Sequence, residues 1–107
     1  MASIIGHNRG ADRMYAIVFD LDTTTLQQVY HNPSYNNAYS DIRKVLEQRG
    51  FEWQQGSTYF GNERVTPVDC VLVVQELRRL YDWFKPSIRD IRMLRIEENN
   101  DLAAAME

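Results

Sequence analysis

The tightest constraint in this sequence is the order in which its periodicities change. An apolar run gives way to a 3.6-residue period, then to two short strand-like runs, then to a second 3.6-residue period and a final alternating run. Met14–Asp20 (MYAIVFD) has the composition of a central, largely buried strand. The polar stretch Leu21–Pro33 follows, with room for one helical turn around Thr24–Tyr30. Tyr35, Ala38, Tyr39, Ile42, Val45 and Leu46 then fall on one face of an amphipathic helix, and Gly50 stands where a C-terminal cap glycine belongs. Phe51–Gln55 and Ser57–Gly61 read as two strands of a hairpin turning at Gln55-Gly56.

Thr66 and Pro67 open the second helix as N-cap and first residue, with Asp69 three residues after the cap. Cys70, Val73, Val74, Leu77, Tyr81 and Phe84 form its main apolar stripe, and Pro86 is the expected stop. Val68, Val71 and Leu72 add a second apolar face, which requires deep burial or another subunit. Asp90–Ile96 alternates as a fourth strand, and an acidic tail follows with a short helix expected over Asp101–Met106. The order strand, helix, strand, strand, helix, strand predicts an α+β fold, a ferredoxin-like βαββαβ sandwich on an antiparallel sheet. Helices cover only one face of such a sheet. Tyr15, Phe51, Trp53, Tyr59 and Phe60 are too apolar to leave the other face to water, so a homodimer is expected. Residues 1–13 read as a flexible N-terminal extension and 14–107 as the domain with its acidic tail.

A length of 107 residues suits one domain and is too short for a TIM barrel. A single cysteine excludes an internal disulfide framework, and two histidines with that cysteine do not make a zinc site of ordinary spacing. No apolar run approaches the ~20 residues needed to span a bilayer, and the first residues lack the pattern of a secretory signal. The expected compartment is the cytoplasm, with no membrane partner. A net charge of −3 excludes a uniformly basic coat for nucleic acid. The distribution is uneven, however. Residues 78–95 hold six basic side chains against two acidic ones, and residues 97–107 hold four acidic side chains and no basic one. The basic band suits a phosphate backbone or simply a solvated surface; the tail could close over it.

Asp20-Leu-Asp22-Thr23-Thr24 fits the D-x-D-x-T pattern of phosphatases, in which one carboxylate attacks phosphorus beside Mg²⁺. That chemistry also needs a hydroxyl, a lysine and an acidic pair at the tips of further parallel strands, which this order of elements does not offer. For Asp22 the plainer role is a turn or helix cap.

The segments MYAIVFDLD, NAYSDIRKVLEQRGFEWQQGSTYFG and WFKPSIRDIRMLRIEENNDL resemble the virulence-associated protein D family, VapD, from Met14 to about Leu102. The resemblance implies a small homodimer related to the CRISPR-adaptation nucleases. It further implies an endoribonuclease acting as the toxin of a toxin–antitoxin pair, with RNA and a cognate antitoxin protein as partners. It places Asp20 at the strand end where, in the relatives, two such carboxylates face each other across the dimer and can hold a divalent ion, so Mg²⁺ is the expected cofactor if one is used. Ser57 at the hairpin and Asp90 entering the fourth strand complete the catalytic candidates. Arg43, Arg89 and Arg92 are the candidate RNA-binding cations. Tyr39 is a possible proton donor, although its place in the apolar stripe favours packing. His31 lies in a loop. A non-catalytic dimeric module binding RNA or protein is the alternative.

Overall fold

The structure, a computed structural model, describes residues 14–107. The N-terminal extension read over residues 1–13 lies outside the described residues. Four strands, β1 (Met14–Leu21), β2 (Phe51–Gln55), β3 (Thr58–Gly61) and β4 (Ile88–Ile96), form one sheet in the order β2-β3-β1-β4, with every neighbouring pair antiparallel. Helices α1 (Thr23–Val29), α2 (Asn37–Gln48), α3 (Pro67–Leu80) and α4 (Phe84–Ser87) connect them, and a 3₁₀ turn, Ala103–Met106, lies in the tail. This is the expected ferredoxin-like α+β architecture, with the helical turn expected around Thr24–Tyr30 present as α1 and one short helix, α4, added.

The local signals explain the long helices. α2 buries Ala38, Ile42, Val45 and Leu46 on one stripe. Gly50 follows it at φ +92°, the left-handed conformation that closes a helix without a Cβ penalty. At the start of α3, Thr66 Oγ1 accepts from the Asp69 N–H at 3.2 Å, and the Thr66 N–H donates to Asp69 Oδ2 at 2.9 Å. Cys70, Val73 and Leu77 pack α3 onto the core, while Val68, Val71 and Leu72 are exposed in this protomer.

Two boundaries differ from the sequence reading. α3 ends at Leu80, with Tyr81 turning out of helical geometry as its cap, and Pro86 lies inside α4. A proline is tolerated there because the N–H groups of a first helical turn have no intrahelical acceptor. β4 begins at Ile88, two residues before Asp90, because Ile88 pairs with Leu21.

Register decides the two faces of the sheet. Ile17 lies opposite Tyr59, and Trp53 opposite Tyr59 on the other side, so these residues with Phe19, Leu21 and Phe51 share the helix-covered face. Tyr15, Phe51, Trp53 and Tyr59 therefore face the helices rather than the open side. The open face instead carries Ala16, Val18 and Asp20 of β1, Thr58 and Phe60 of β3, and Asp90, Arg92, Leu94 and Ile96 of β4. Among these Leu94 is 48% exposed. The same core extends to the connections, where Trp83 stacks on Tyr81 and meets Tyr30 edge-to-face, with ring centres 5.1 Å apart. Among the described residues no helix is long and apolar enough to cross a membrane.

Glycines 50 and 56 provide a test of this packing. Both have positive φ, but a Cβ on Gly50 would meet Asn62 Nδ2 at 2.9 Å, whereas one on Gly56 meets nothing within 4 Å. Gly56→Ala is expected to cost about 1–2 kcal/mol for the left-handed backbone alone. Gly50→Ala should cost more, and denaturant midpoints of the two variants will order them.

Candidate active site

The functional candidates gather at one end of the central strand pair. β1 and β4 run antiparallel, so the C-terminal end of β1 meets the N-terminal end of β4, and Asp20 lies directly opposite Asp90. Both side chains are on the open face, next to the pair Val18 and Arg92. Like charges directly opposite each other weaken a sheet, so two facing carboxylates need compensation. β4 provides it. Arg92 Nε donates to Asp90 Oδ2 at 2.9 Å. Arg89 spans two acids, with Nη1 3.9 Å from Asp20 Oδ2 and Nη2 3.6 Å from Asp22 Oδ2.

A register shift gives Arg89 this reach. Asp20 pairs with Asp90, but the next residue, Leu21, pairs with Ile88, leaving Arg89 as the extra residue of a β-bulge. In a regular ladder Arg89 would face Leu21 on the core side; the bulge turns it towards the acids instead.

Asp22 caps α1, its Oδ1 accepting from the Thr25 N–H at 3.1 Å, while its own N–H donates to the Ser87 carbonyl at 2.7 Å. The Thr25 N–H, foremost, and the Arg89 guanidinium hold its carboxyl below the ordinary 3.8, against a smaller opposing effect of burial. The contact with Asp90 raises the affinity of Arg92 for its proton. Asp22 is thus a structural cap as well as an acceptor for Arg89, and the all-antiparallel neighbours of β1 supply none of the parallel strand tips that D-x-D-x-T phosphatase chemistry requires.

Ser57 belongs to the same end: its carbonyl accepts from the Phe19 N–H at 3.1 Å, one residue before Asp20. Arg43 stands apart. It projects from α2, pairs with Glu47 at 3.0 Å and stacks over the Trp53 ring at 4.6 Å, contacting none of the acids at the strand tips. Tyr39, weighed in the sequence as a packing residue, is half-buried. Burial first, then Tyr35 and the Asp20 charge, push its phenol above the ordinary 10. That influence of the Asp20 charge had no signal in the helical period, which fixes a face but not what lies beyond its edge. In the tail, Glu97 pairs with Arg95, and Leu102 and Met106 remain 73% and 84% exposed. The tail therefore does not close over the basic band in this protomer.

Among the described residues of one protomer no group of three or more His, Cys, Asp or Glu side chains could hold a metal ion. Asp20 and Asp90 offer two carboxylates, hard oxygen donors of the kind Mg²⁺ takes together with several waters.

The chain is similar to known proteins along most of its length. The family model described as CRISPR associated protein Cas2 matches residues 13–103. Endoribonuclease VapD 2 of Riemerella anatipestifer is 50% identical over 93 residues, covering 87% of this chain and 99% of the relative. An endoribonuclease VapD homolog of Helicobacter pylori is 52% identical over 94 residues, covering 88% and 97%. Endoribonuclease VapD of Dichelobacter nodosus is 42% identical over 94 residues, covering 88% and 98%.

The Asp22 contacts predict a specific titration. Its contribution to stability is fully present above pH 3.8 and is lost as pH falls through the lower value of the folded state. Arg89→Ala should move the Asp22 titration, followed by carboxyl NMR, only part of the way back to the ordinary value, because the Thr25 N–H remains. A full return would show that Arg89 alone sets it.

Proposed function

We propose that this chain, which belongs to the VapD family within the Cas2 group, is an endoribonuclease that cleaves RNA at the strand tips bearing Asp20 and Asp90. The observation that carries this reading is the facing pair of carboxylates with two arginines held against them, in a family whose relatives are named for RNA cleavage.

Cleavage requires a base for the 2′-hydroxyl, charge to neutralise the phosphorane and a proton for the leaving 5′-oxygen. Asp20 takes the 2′-hydroxyl proton, and the 2′-oxygen attacks phosphorus. Arg89 and Arg92 release their acids to bind the non-bridging oxygens in forked geometry. The bond from phosphorus to the 5′-oxygen breaks, and Tyr39, held protonated by burial, supplies the proton. The products are a 2′,3′-cyclic phosphate and a 5′-hydroxyl. Ser57 offers a hydroxyl to the phosphate, and Asp90 aims Arg92. Were Mg²⁺ bound, Asp20 and Asp90 would be the carboxylates to hold it, and it would supply further neutralising charge at the phosphate. Arg43, stacked on Trp53, serves the flanking strand rather than the reacting group.

The working unit in this reading is a homodimer in the cytoplasm. An open sheet face bearing Val18, Phe60, Leu94 and Ile96 favours a second copy, since apolar sheet surface left in water is costly. Pairing would double the basic band and bring two Asp20 side chains into one groove. The same activity, restrained by an antitoxin protein, suits the toxin of a toxin–antitoxin pair.

Asp20→Asn removes the base and one of two facing charges together. We expect cleavage of a labelled RNA to fall by about 10²-fold or more. The melting temperature should stay level or rise, because the cross-strand repulsion goes with the charge. Undiminished cleavage by highly purified Asp20→Asn would remove Asp20 from the site. Binding without cleavage in the unaltered protein would favour a non-catalytic module.

A further inference from the structure

A second concavity lies at the far end of α1 from the carboxylates. Gln27, Tyr30, His31, Asn32, Pro33 and Tyr35 line a cleft of about 370 Å³, within the size range of small-ligand sites. Its composition is unlike that of the core: two phenol rings, an imidazole and two carboxamides. Aromatic faces beside amide edges are what single-stranded RNA recognition uses, the ring stacking on a base and the amide reading its edge.

The back wall is rigid. The Tyr30 hydroxyl donates to Asp41 Oδ2 at 2.8 Å, and its ring is fixed edge-to-face against Trp83. Burial, followed by the Asp41 contact, pushes this phenol up to about 12, so the wall carries no phenolate to repel RNA at neutral pH. Asn32 is oriented by accepting the Ser34 N–H at 2.9 Å, which leaves its amide donors available. His31 Nε2 lies 3.4 Å from Asp82 Oδ2 at the rim. Among the described residues the Gln27 side chain has no hydrogen-bond partner and is exposed.

The cleft is also placed for the strand that the active site would hold. α1 starts directly after Asp22 and has seven residues, a length of about 10 Å at 1.5 Å per residue. That is about three nucleotides at a stacked spacing of ~3.4 Å.

We propose that this cleft seats a nucleobase of the substrate RNA, two to three nucleotides from the scissile phosphate, by stacking on Tyr35 with its edge read by Gln27 and Asn32. The assignment rests on the endoribonuclease reading and adds a specificity site to it. Paired amide donor and acceptor groups match adenine best.

The test compares the full chain with His31→Ala, Gln27→Ala and Tyr35→Ala on oligoribonucleotides with a single cut site, varying the base two and three positions from the cut. Gln27 and His31 are exposed, so those two variants should keep the fold even if Tyr35→Ala loses some stability. Loss of the stacking ring should raise KM about tenfold. With kcat within about twofold, it should also flatten the base preference. Gln27→Ala should flatten the preference for adenine with a smaller change in KM. Cleavage by all three variants with unaltered KM and preference would overturn the cleft assignment while leaving the endoribonuclease reading intact. If the unaltered protein proves inactive, the endoribonuclease reading fails by itself. Fluorescence anisotropy with a labelled adenine-containing oligonucleotide then decides the cleft, and equal affinity for the variants and the unaltered chain would overturn it.

Discussion

Two carboxylates facing each other across a single antiparallel strand pair are the constraint around which this protein is organised. Asp20 and Asp90 are register partners, and a sheet does not place like charges opposite each other without compensation. Both compensating groups come from β4. Arg92 lies two residues along from Asp90, and Arg89 stands in the bulge that interrupts the ladder. The ion pairs are solvent-facing, so their contribution to stability is small. In the proposed reaction they hold cations within reach of the acids, at a position where a phosphate would bring further negative charge.

The rest of the fold presents that pair. The buried residues of β1 anchor the central strand between β3 and β4, so the position of its tip is fixed by core packing rather than by a loop. α1 is capped by Asp22 and tied to Ser87 through a backbone hydrogen bond, which joins the strand-to-helix turn to the start of β4. The same short helix then separates the strand tips from the aromatic and amide cleft at its other end. A strand of RNA following α1 would meet charge first and rings second.

Small size makes the open sheet face consequential. One layer of helices covers one side of four strands, and the other side mixes apolar residues at its centre with charge at its end. A second copy placed there would bury the apolar part and join two charged ends in one groove. Residues of α3 that are apolar and exposed, Val68, Val71 and Leu72, provide additional surface of this kind away from the sheet.

The resemblance of its segments to a family supplied the three catalytic candidates, and the sequence by itself determined the order of elements and both long helices with their caps at Thr66 and Gly50. These follow from local physics: periodicity, capping and backbone freedom are set within a few residues. It also showed that one sheet face needs cover, but assigned to that face, besides Phe60, four aromatic residues that point towards the helices, because side-chain parity depends on a register that no segment carries alone. Only the tertiary structure decided that Asp20 faces Asp90, that Arg89 falls in a bulge and turns to the acids, and that Arg43 is withdrawn onto Trp53. Each of these is a relation between segments distant in sequence, set by inter-strand hydrogen bonds and core packing. A slip of one residue there would send every side chain of a strand to the opposite face.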